Sequence, residues 1–531
     1  MGVPVIKQNE LHLDRIIGEG QYGKVWEGRC RGEVVAVKVL NDLEWDDAII
    51  VKFEKEVEIM SQLHHPNVVL LMGACTETRS SLVIVTELCE GNLRGIIHDK
   101  KIILSMLQKL NFAIDIAQGM AWLHNTKPHQ IIHRDLKLTN LLVDSNWKVK
   151  VCDFGLSDFL KTDFLQDEGV AVGSALWMSP EVLEGRKLTE KIDVYSFGLI
   201  LWEIIKRVQP YGEYETVAAL RKAVCKDGVR PPISKKIPPV LGNIIEQCWQ
   251  QDPQKRPSFV SVLDMLKDSM VEIFLTPVCP DTAKLWRMEK SWAGKEQIKF
   301  DSFSRAVCKY LRIKQQEKAL AFRCLQALLA VEKKKGADST PMVSIARLGL
   351  VMAWFGPMTA LSWEKPKVTF LDRIVAVLKH SWFFGDIERE ESDALLRDFK
   401  KKPGTFLVRL NLGGSTEPFV SPFTISKVNN TQKFEHMRVY HYKDRTGYFI
   451  QVNTKTGLSQ LYSRGPIDKL ISKLKLKGLL RTSGGVPGQK YKSLFESGTE
   501  DDVSIYLQLD RDDEPFDDDD SGDQDLLEPE D

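Results

Sequence analysis

The sequence is short of several things that would direct a functional reading elsewhere. It lacks an excess of either charge, since 73 Lys and Arg residues balance 73 Asp and Glu residues. Bulk attraction therefore gives no route to nucleic acid, and no nucleic-acid partner is expected. It lacks CxxC pairs: the nine cysteines are scattered and odd in number, a usage of reduced thiols rather than of disulfides or zinc ligands. No uncharged apolar run approaches the ~20 residues that cross a bilayer. The opening MGVPVIKQNE has no apolar core of a secretory signal. Ile6 stands where a myristoylation signal starting at Gly2 places Ser or Thr, which argues against lipidation. A soluble, cytoplasmic chain with no transmembrane segment is the expectation.

A length of 531 residues with 43% hydrophobic and 27% charged residues implies an ordinary globular protein of two to four domains. Its most informative stretch is HRDLKLTNLLVDSNWKVKVCDFG, from His133 to Gly155. Two carboxylates, Asp135 and Asp153, and the carboxamide of Asn140 fall on short loops between apolar strands. That set suits proton abstraction and magnesium binding beside a polyphosphate. Each residue alone could be a turn or a cap.

Upstream, LHLDRIIGEG, YGKVWEGRC and EVVAVKVL read as short strands. The first turn carries GxGxxG from Gly18 to Gly23, a weak signal by itself. A dinucleotide site would need a helix next. Lys24–Gly28 instead alternates like a strand, which favours a hairpin folding over nucleotide phosphates. Lys38 ends an apolar run, where a plain surface lysine is the bland alternative. A helix from about Glu44 to Gln62 keeps Trp45, Ile49, Phe53, Val57 and Met60 on one face, with Glu56 beside them. Glu56 is the candidate partner of Lys38; a solvated helix charge is the alternative.

Together, in this order, these motifs resemble a protein kinase, and phrases such as HPNVVLLMGAC and WMSPEVL resemble its tyrosine-kinase-like branch. The resemblance covers roughly the first half of the chain. It implies a bilobal fold, β-rich then α-rich, over residues 11–275, with ATP and Mg²⁺ as cofactors and proteins as substrates. ATP would lie against Ile17, Gly18, Glu19, Gly20, Gln21, Tyr22, Gly23, Lys24 and Val25, with Ala36 and Leu142 around the base. Thr86 would be the gatekeeper, and Glu87, Leu88 and Cys89 the hinge. Cys89 reads as a packing residue, because nothing basic adjoins it. Lys38, paired with Glu56, would hold phosphates; Asp135 would be the catalytic base and Lys137 the neutraliser of the γ-phosphate. Asn140 and Asp153 would ligate Mg²⁺. Glu181 is expected to pair with Arg256, and Asp193 to brace the catalytic loop.

In the kinase resemblance Lys137 implies Ser/Thr substrates, with Tyr as a further acceptor left open, and the segment from Asp153 to Glu181 contains no tyrosine. Arg134 implies a cationic pocket for a phosphate, with Thr162 as the candidate phosphosite; an unmodified loop residue is the equal alternative. Two rivals stand beside this reading: a true tyrosine kinase, and a pseudokinase scaffold, which predicts decay among Lys38, Glu56, Asp135, Asn140 and Asp153.

Residues 276–379 carry helical periodicity and several tryptophans but no catalytic motif, and read as a helical linker whose tryptophans pack a core, with a docking surface as the alternative. From residue 380 the pattern changes. Arg409 lies inside the apolar run Phe406–Leu410, where an unpaired charge costs about 3–5 kcal/mol. An internal carboxylate is the bland partner; a ligand phosphate held by the guanidinium is the sharper one. WFFGDI, FLVR and EHMRV resemble a Src-homology-2 (SH2) domain, a central antiparallel sheet flanked by two helices, over residues 380–480. That resemblance implies phosphotyrosine binding by Arg389, Arg409, Ser415, Thr416, His436 and Arg438, and recruitment to phosphotyrosine proteins, including membrane-associated ones. Asn411 departs from the family, which usually has Ser or an acid there. Residues 481–509 form an extension, and the acidic tail 510–531 should be disordered. The whole is a multidomain α+β chain, and a kinase followed by an SH2 domain resembles the Shk-type kinases.

Overall fold

The computed structural model describes residues 4–20, 23–40, 47–75, 82–154, 157–160, 172–329, 341–361, 364, 368–410, 421–441, 447–454, 457–481 and 491–496. The chain forms two compact units, residues 1–273 and 274–531.

The first unit opens with strands β1 (Leu11–Gly20), β2 (Gly23–Cys30) and β3 (Glu33–Leu40), helix α1 (Asp47–Ser61), and strands β4 (Leu71–Cys75) and β5 (Val83–Glu87). They make one antiparallel sheet in the order β1-β2-β3-β5-β4. Period-two alternation sorts β3 into two faces. Val35 and Val37 are buried with Ile6, Cys30, Cys75, Val83 and Val85, whereas Ala36 and Lys38 turn to the other face. The register pairs Val25 with Lys38 and Ala36 with Thr86, which extends that second face over three strands in two neighbouring rows. Gly23 has to be glycine, because a Cβ there would collide with the Val39 carbonyl.

After β6 (Gly91–Asn92), α2 (Leu93–His98) and α3 (Met106–His124), short strands β7 (Gln130–Ile132), β8 (Leu141–Val143), β9 (Val149–Val151) and β10 (Asp158–Leu160) carry the His133–Gly155 stretch. Helix α3 starts at Ser105, whose hydroxyl accepts from the Gln108 N–H while the Gln108 side chain accepts from the Ser105 N–H. Helices α4 (Pro180–Leu183), α5 (Lys191–Lys206), α6 (Val217–Arg221), α7 (Pro239–Cys248) and α8 (Phe259–Phe274) complete the helical part. Helix α5 is buried without a break from Ile192 to Ile205, which marks it as the central post of that lobe.

The second unit begins with α9 (Pro280–Met288), β11 (Gln297–Lys299), α10 (Phe300–Leu311), α11 (Ala319–Leu329), β12 (Met342–Ser344), α12 (Ile345–Phe355) and α13 (Phe370–Leu378). β11 and β12 pair antiparallel. Trp286, Trp292 and Trp354 are buried, so these tryptophans pack a core. A six-stranded sheet follows: β13 (Phe383–Gly385), then, after helix α14 (Arg389–Leu396), β14 (Phe406–Leu410), β15 (Phe423–Val428), β16 (Phe434–His441), β17 (Gly447–Thr454) and β18 (Gly457–Arg464). β13 joins β14 in parallel and the others pair antiparallel. Helices α15 (Ile467–Leu476) and α16 (Lys492–Glu496) come last.

The helical region is more than a spacer, since it packs into one unit with the sheet. Arg347 Nη2 donates to Asp386 Oδ2 at 2.7 Å, and Phe355 meets Phe423 edge to face at 6.1 Å between centroids. Tyr491, just ahead of α16, stacks on Phe383 at 5.9 Å. Gly385 makes room for it: its φ is 68°, and a Cβ there would run into the Tyr491 hydroxyl. Removing that buried ring should cost about 3 kcal/mol or more. Tyr491→Ala is therefore expected to lower the urea midpoint of the second unit's unfolding; an unchanged midpoint contradicts this packing role.

Candidate functional site

Strand β3 and helix α1 bring the first two groups together. Lys38 Nζ lies 2.7 Å from Glu56 Oε1 and 3.4 Å from Asp153 Oδ1. Burial alone would lower the Lys38 pKa, but the charges of Glu56 and then Asp153 outweigh it and raise it. Burial also pushes Asp153 upward, and the Lys38 charge, followed by His133, more than reverses this. Phe53, Val57 and Met60 are buried on the α1 face that turns Glu56 inward. Trp45 lies outside the described residues.

The loop after β7 is built around Asp193, which is buried in α5. Its carboxylate accepts from the backbone N–H groups of His133 at 2.8 Å and Arg134 at 2.9 Å, and from His124 Nε2 at 2.9 Å. Arg134 sits at φ 69°, a left-handed conformation that these bonds hold in place. The Asp135 carboxylate follows. Lys137 Nζ donates to its Oδ2 at 2.7 Å, and Asn140 Nδ2 donates to its Oδ2 and its carbonyl, each at 2.9 Å. With its amide hydrogens engaged there, Asn140 keeps Oδ1 as an acceptor, 3.4 Å from the Thr139 hydroxyl. Asp153, at φ 65°, follows Cys152, whose carbonyl is 3.0 Å from His133 Nε2. Among the described residues no three His, Cys, Asp or Glu side chains form a metal cage. The Asn140 and Asp153 oxygens are hard donors, which suits a divalent cation that keeps its other ligands from water and phosphate.

Ile17, Val25, Ala36 and Leu142 are all incompletely buried, as the walls of an open cleft would be. Gly18 pairs with Val25, Glu19 with Lys24, and Gly20 with Gly23 across the hairpin. Gln21, Tyr22 and Thr162 lie outside the described residues. Thr86 Oγ1 donates to the Glu87 carbonyl at 3.3 Å. The Glu87 carboxylate turns away, accepting from Leu70 N–H at 2.8 Å and standing 3.1 Å from Lys150, and Leu88 follows half-buried. Burial pushes the Cys89 thiol up to about 12, a value for an inert thiol. Glu181 and Arg256 form a buried two-pronged pair at 2.5 and 2.9 Å.

In the second unit, the sheet register assembles another cluster. Arg409, Thr424 and Arg438 lie in one cross-strand row, and Ser426 and His436 pair in a neighbouring row of the same face. Ser426 Oγ is 2.9 Å from His436 Nδ1. Arg389 on α14 acts electrostatically on Arg409; Arg438 is exposed. Ser415, Thr416 and Asn411 lie outside the described residues. The sequence reading missed Asp393, whose Oδ1 is 3.1 Å from His436 Nε2. Its place four residues after Arg389, on the same face of a helix, was the available signal.

A family model described as protein tyrosine and serine/threonine kinase matches residues 11–266, and an SH2 domain model matches residues 382–463. Dual specificity protein kinase shkC of Dictyostelium discoideum is 35% identical over 511 residues, spanning 93% of this chain and 95% of the relative. The chain belongs to the SH2-bearing protein kinases. Dual specificity protein kinase shkA of the same organism is 36% identical to this kinase over 479 residues, spanning 86% of each. The probable serine/threonine-protein kinase SIS8 of Arabidopsis thaliana is 41% identical over 258 residues, 49% of this chain and 25% of the relative. The two Dictyostelium relatives match across the kinase and SH2 regions alike.

Arg256→Met would strand Glu181 in a buried place, and should cost the kinase unit about 3–5 kcal/mol in denaturant unfolding; a loss below 1 kcal/mol contradicts the pair's role. Asp193 is held below the ordinary aspartate range: burial raises its pKa, but the bond from His124 and the neighbouring charges reverse this. A lowered folded pKa gives stability that is complete above the unfolded value of about 4 and lost as pH falls through the folded one. Asp193→Asn should therefore flatten the loss of stability measured below about pH 4; an unaltered acid profile contradicts it.

Proposed function

We propose that this kinase transfers the γ-phosphate of ATP to Ser and Thr hydroxyls of proteins and to Tyr as well, with Mg²⁺ as the metal. The observation that carries the reading is the Asp135–Lys137–Asn140 contact set, beside Lys38 paired with Glu56 and Asp153. In this reading Asp135 orients a substrate hydroxyl and accepts its proton. Lys137, already 2.7 Å from that carboxylate, stays beside the phosphoryl group and balances its charge. Lys38, kept protonated and aimed by Glu56, holds the α- and β-phosphates. Mg²⁺ held by Asn140 and Asp153 would supply charge neutralisation between phosphate oxygens. The glycine hairpin, Thr86 and the hinge at Glu87–Cys89 form the nucleotide pocket, and phosphate on Thr162 would meet Arg134.

The Ser/Thr acceptors rest on Lys137, and the addition of Tyr on the names of the Dictyostelium relatives, each a dual specificity protein kinase. Retention of Lys38, Glu56, Asp135, Asn140 and Asp153 counts against a pseudokinase scaffold. We further propose that Arg389, Arg409, Ser415, Thr416, His436 and Arg438 bind phosphotyrosine, and that this delivers the catalytic unit to phosphotyrosine proteins in the cytoplasm, including those gathered at membranes. Among the described residues no helix is long and apolar enough to cross a membrane.

Phosphoamino-acid analysis after reaction with labelled ATP tests the acceptor range: phosphoserine and phosphothreonine with some phosphotyrosine are expected, and phosphotyrosine alone would establish the tyrosine-kinase reading instead. Asp135→Asn should lower incorporation by about 10²-fold or more; incorporation equal to wild type would defeat the mechanism. Arg409→Ala should abolish binding of phosphotyrosyl peptides, and unchanged affinity would remove the SH2 assignment of that arginine.

A further inference from the structure

The phosphate-facing cluster of the second unit contains an acid that phosphate recognition does not call for. Asp393 lies four residues after Arg389 on α14, and its Oδ1 reaches to 3.1 Å from His436 Nε2. The opposite ring nitrogen of His436 is occupied by Ser426 Oγ. Asp393 Oδ1 and His436 Nε2 thus face each other away from water, whereas Arg409 Nε is closed to water and has no hydrogen-bond partner among the described residues. One guanidinium donor is thus left unused in the row next to an acid–imidazole pair, which is the state of a site shaped for a further group. The Asp393 side chain keeps 28% of its surface exposed and His436 keeps 13%, so the cluster opens at its mouth.

Charged and titratable groups of three elements act on one another here. Strand β14 brings Arg409; strand β16 brings His436; α14 brings Arg389, Glu390 and Asp393, with Glu388 just ahead of it. Burial of Arg409 disfavours its charge, and Glu388, Asp393 and Glu390 restore part of it while Arg389 opposes it. Burial lowers the His436 pKa despite the pull of Asp393, so the imidazole is largely neutral near neutral pH and does not cancel the carboxylate. The pocket therefore carries its own anion. That anion is not removed when a phosphate arrives.

We propose that Asp393 is an internal counter-anion of the phosphotyrosine pocket and limits the ligand charge the pocket accepts. With no ligand it supplies negative charge to Arg409 and a partner for His436, so the guanidinium is not left wholly uncompensated. With a ligand it repels, and it repels a phosphate of nearly two negative charges about twice as strongly as a sulfate of one. This carboxylate sets selectivity by charge, apart from the arginines that supply attraction. The inference rests on the phosphotyrosine reading of this domain and fails differently from it.

The test uses the full-length chain in a fluorescence-anisotropy titration. The probes are a phosphotyrosyl peptide, selected from a degenerate library on the wild-type chain, and the same peptide carrying sulfotyrosine, which has the same tetrahedral shape with one charge less. Wild type is compared with Asp393→Asn, Asp393→Ala and Arg409→Ala. Removal of the Asp393 charge should strengthen phosphotyrosyl binding more than sulfotyrosyl binding, raising the ratio of the two affinities about threefold or more. A purely structural role would move both affinities by one factor. An unchanged ratio in both Asp393 variants overturns the proposal even where both affinities fall. Wild-type affinity retained by Arg409→Ala, or a library that yields no phosphotyrosyl ligand for the wild-type chain, overturns the phosphotyrosine reading instead.

Discussion

The contact among Lys38, Glu56 and Asp153 is the constraint on which the catalytic unit depends. Each group comes from a different element: a strand, the helix beside it, and a loop 115 residues away in sequence from Lys38. An ammonium with 25% of its side chain exposed and a carboxylate with 8% are costly to bring out of water one at a time. Together they satisfy each other, and the geometry that satisfies them also fixes the sheet, the helix and the Asp153 loop with respect to one another. The α1 face supplies the force that keeps Glu56 inward, through the burial of Phe53, Val57 and Met60.

A second anchor, Asp193, does for the loop what Glu56 does for the strand. Three donors converge on its carboxylate, two of them backbone N–H groups of the loop itself. The left-handed backbone at Arg134 is paid for by these bonds and by α5, the most completely buried helix segment around the site. The Asp135 side chain is thereby delivered at a set distance from Lys137 and Asn140. The second unit repeats the logic with other chemistry: cross-strand register aligns Arg409, Thr424 and Arg438, and a helix face adds Arg389 and Asp393.

Much of this was legible in the chain of letters, and the reasons are local. Lys38 ends an alternating strand and Glu56 follows the helical period of its apolar neighbours, so their meeting needed only two periodicities. Asp135, Asn140 and Asp153 lie within twenty residues of one another on loops between apolar strands. The tryptophans at Trp286, Trp292 and Trp354 were readable as core by composition. Contacts between distant segments were not. Nothing near Arg347 announces Asp386, nor does Tyr491 announce the space above Gly385, and so residues 276–379 read as a linker when they share a core with the sheet. The turning of the Glu87 carboxylate toward Leu70 and Lys150 likewise depends on strand pairing that no local pattern encodes. Asp393 was hidden for a different reason: its helix was visible, but its phase relative to the sheet was not.

The claim at the centre is that the Lys38–Glu56 pair assembles the phosphoryl-transfer site. It is tested most directly by the rate of labelled-phosphate transfer from ATP to a generic protein substrate by the wild-type chain and by Glu56→Gln, which keeps the size of the side chain and removes its charge. A fall of about tenfold or more in the rate, with the unfolding midpoint of the catalytic unit shifted only slightly, is the predicted result. Transfer at the wild-type rate by Glu56→Gln would contradict it.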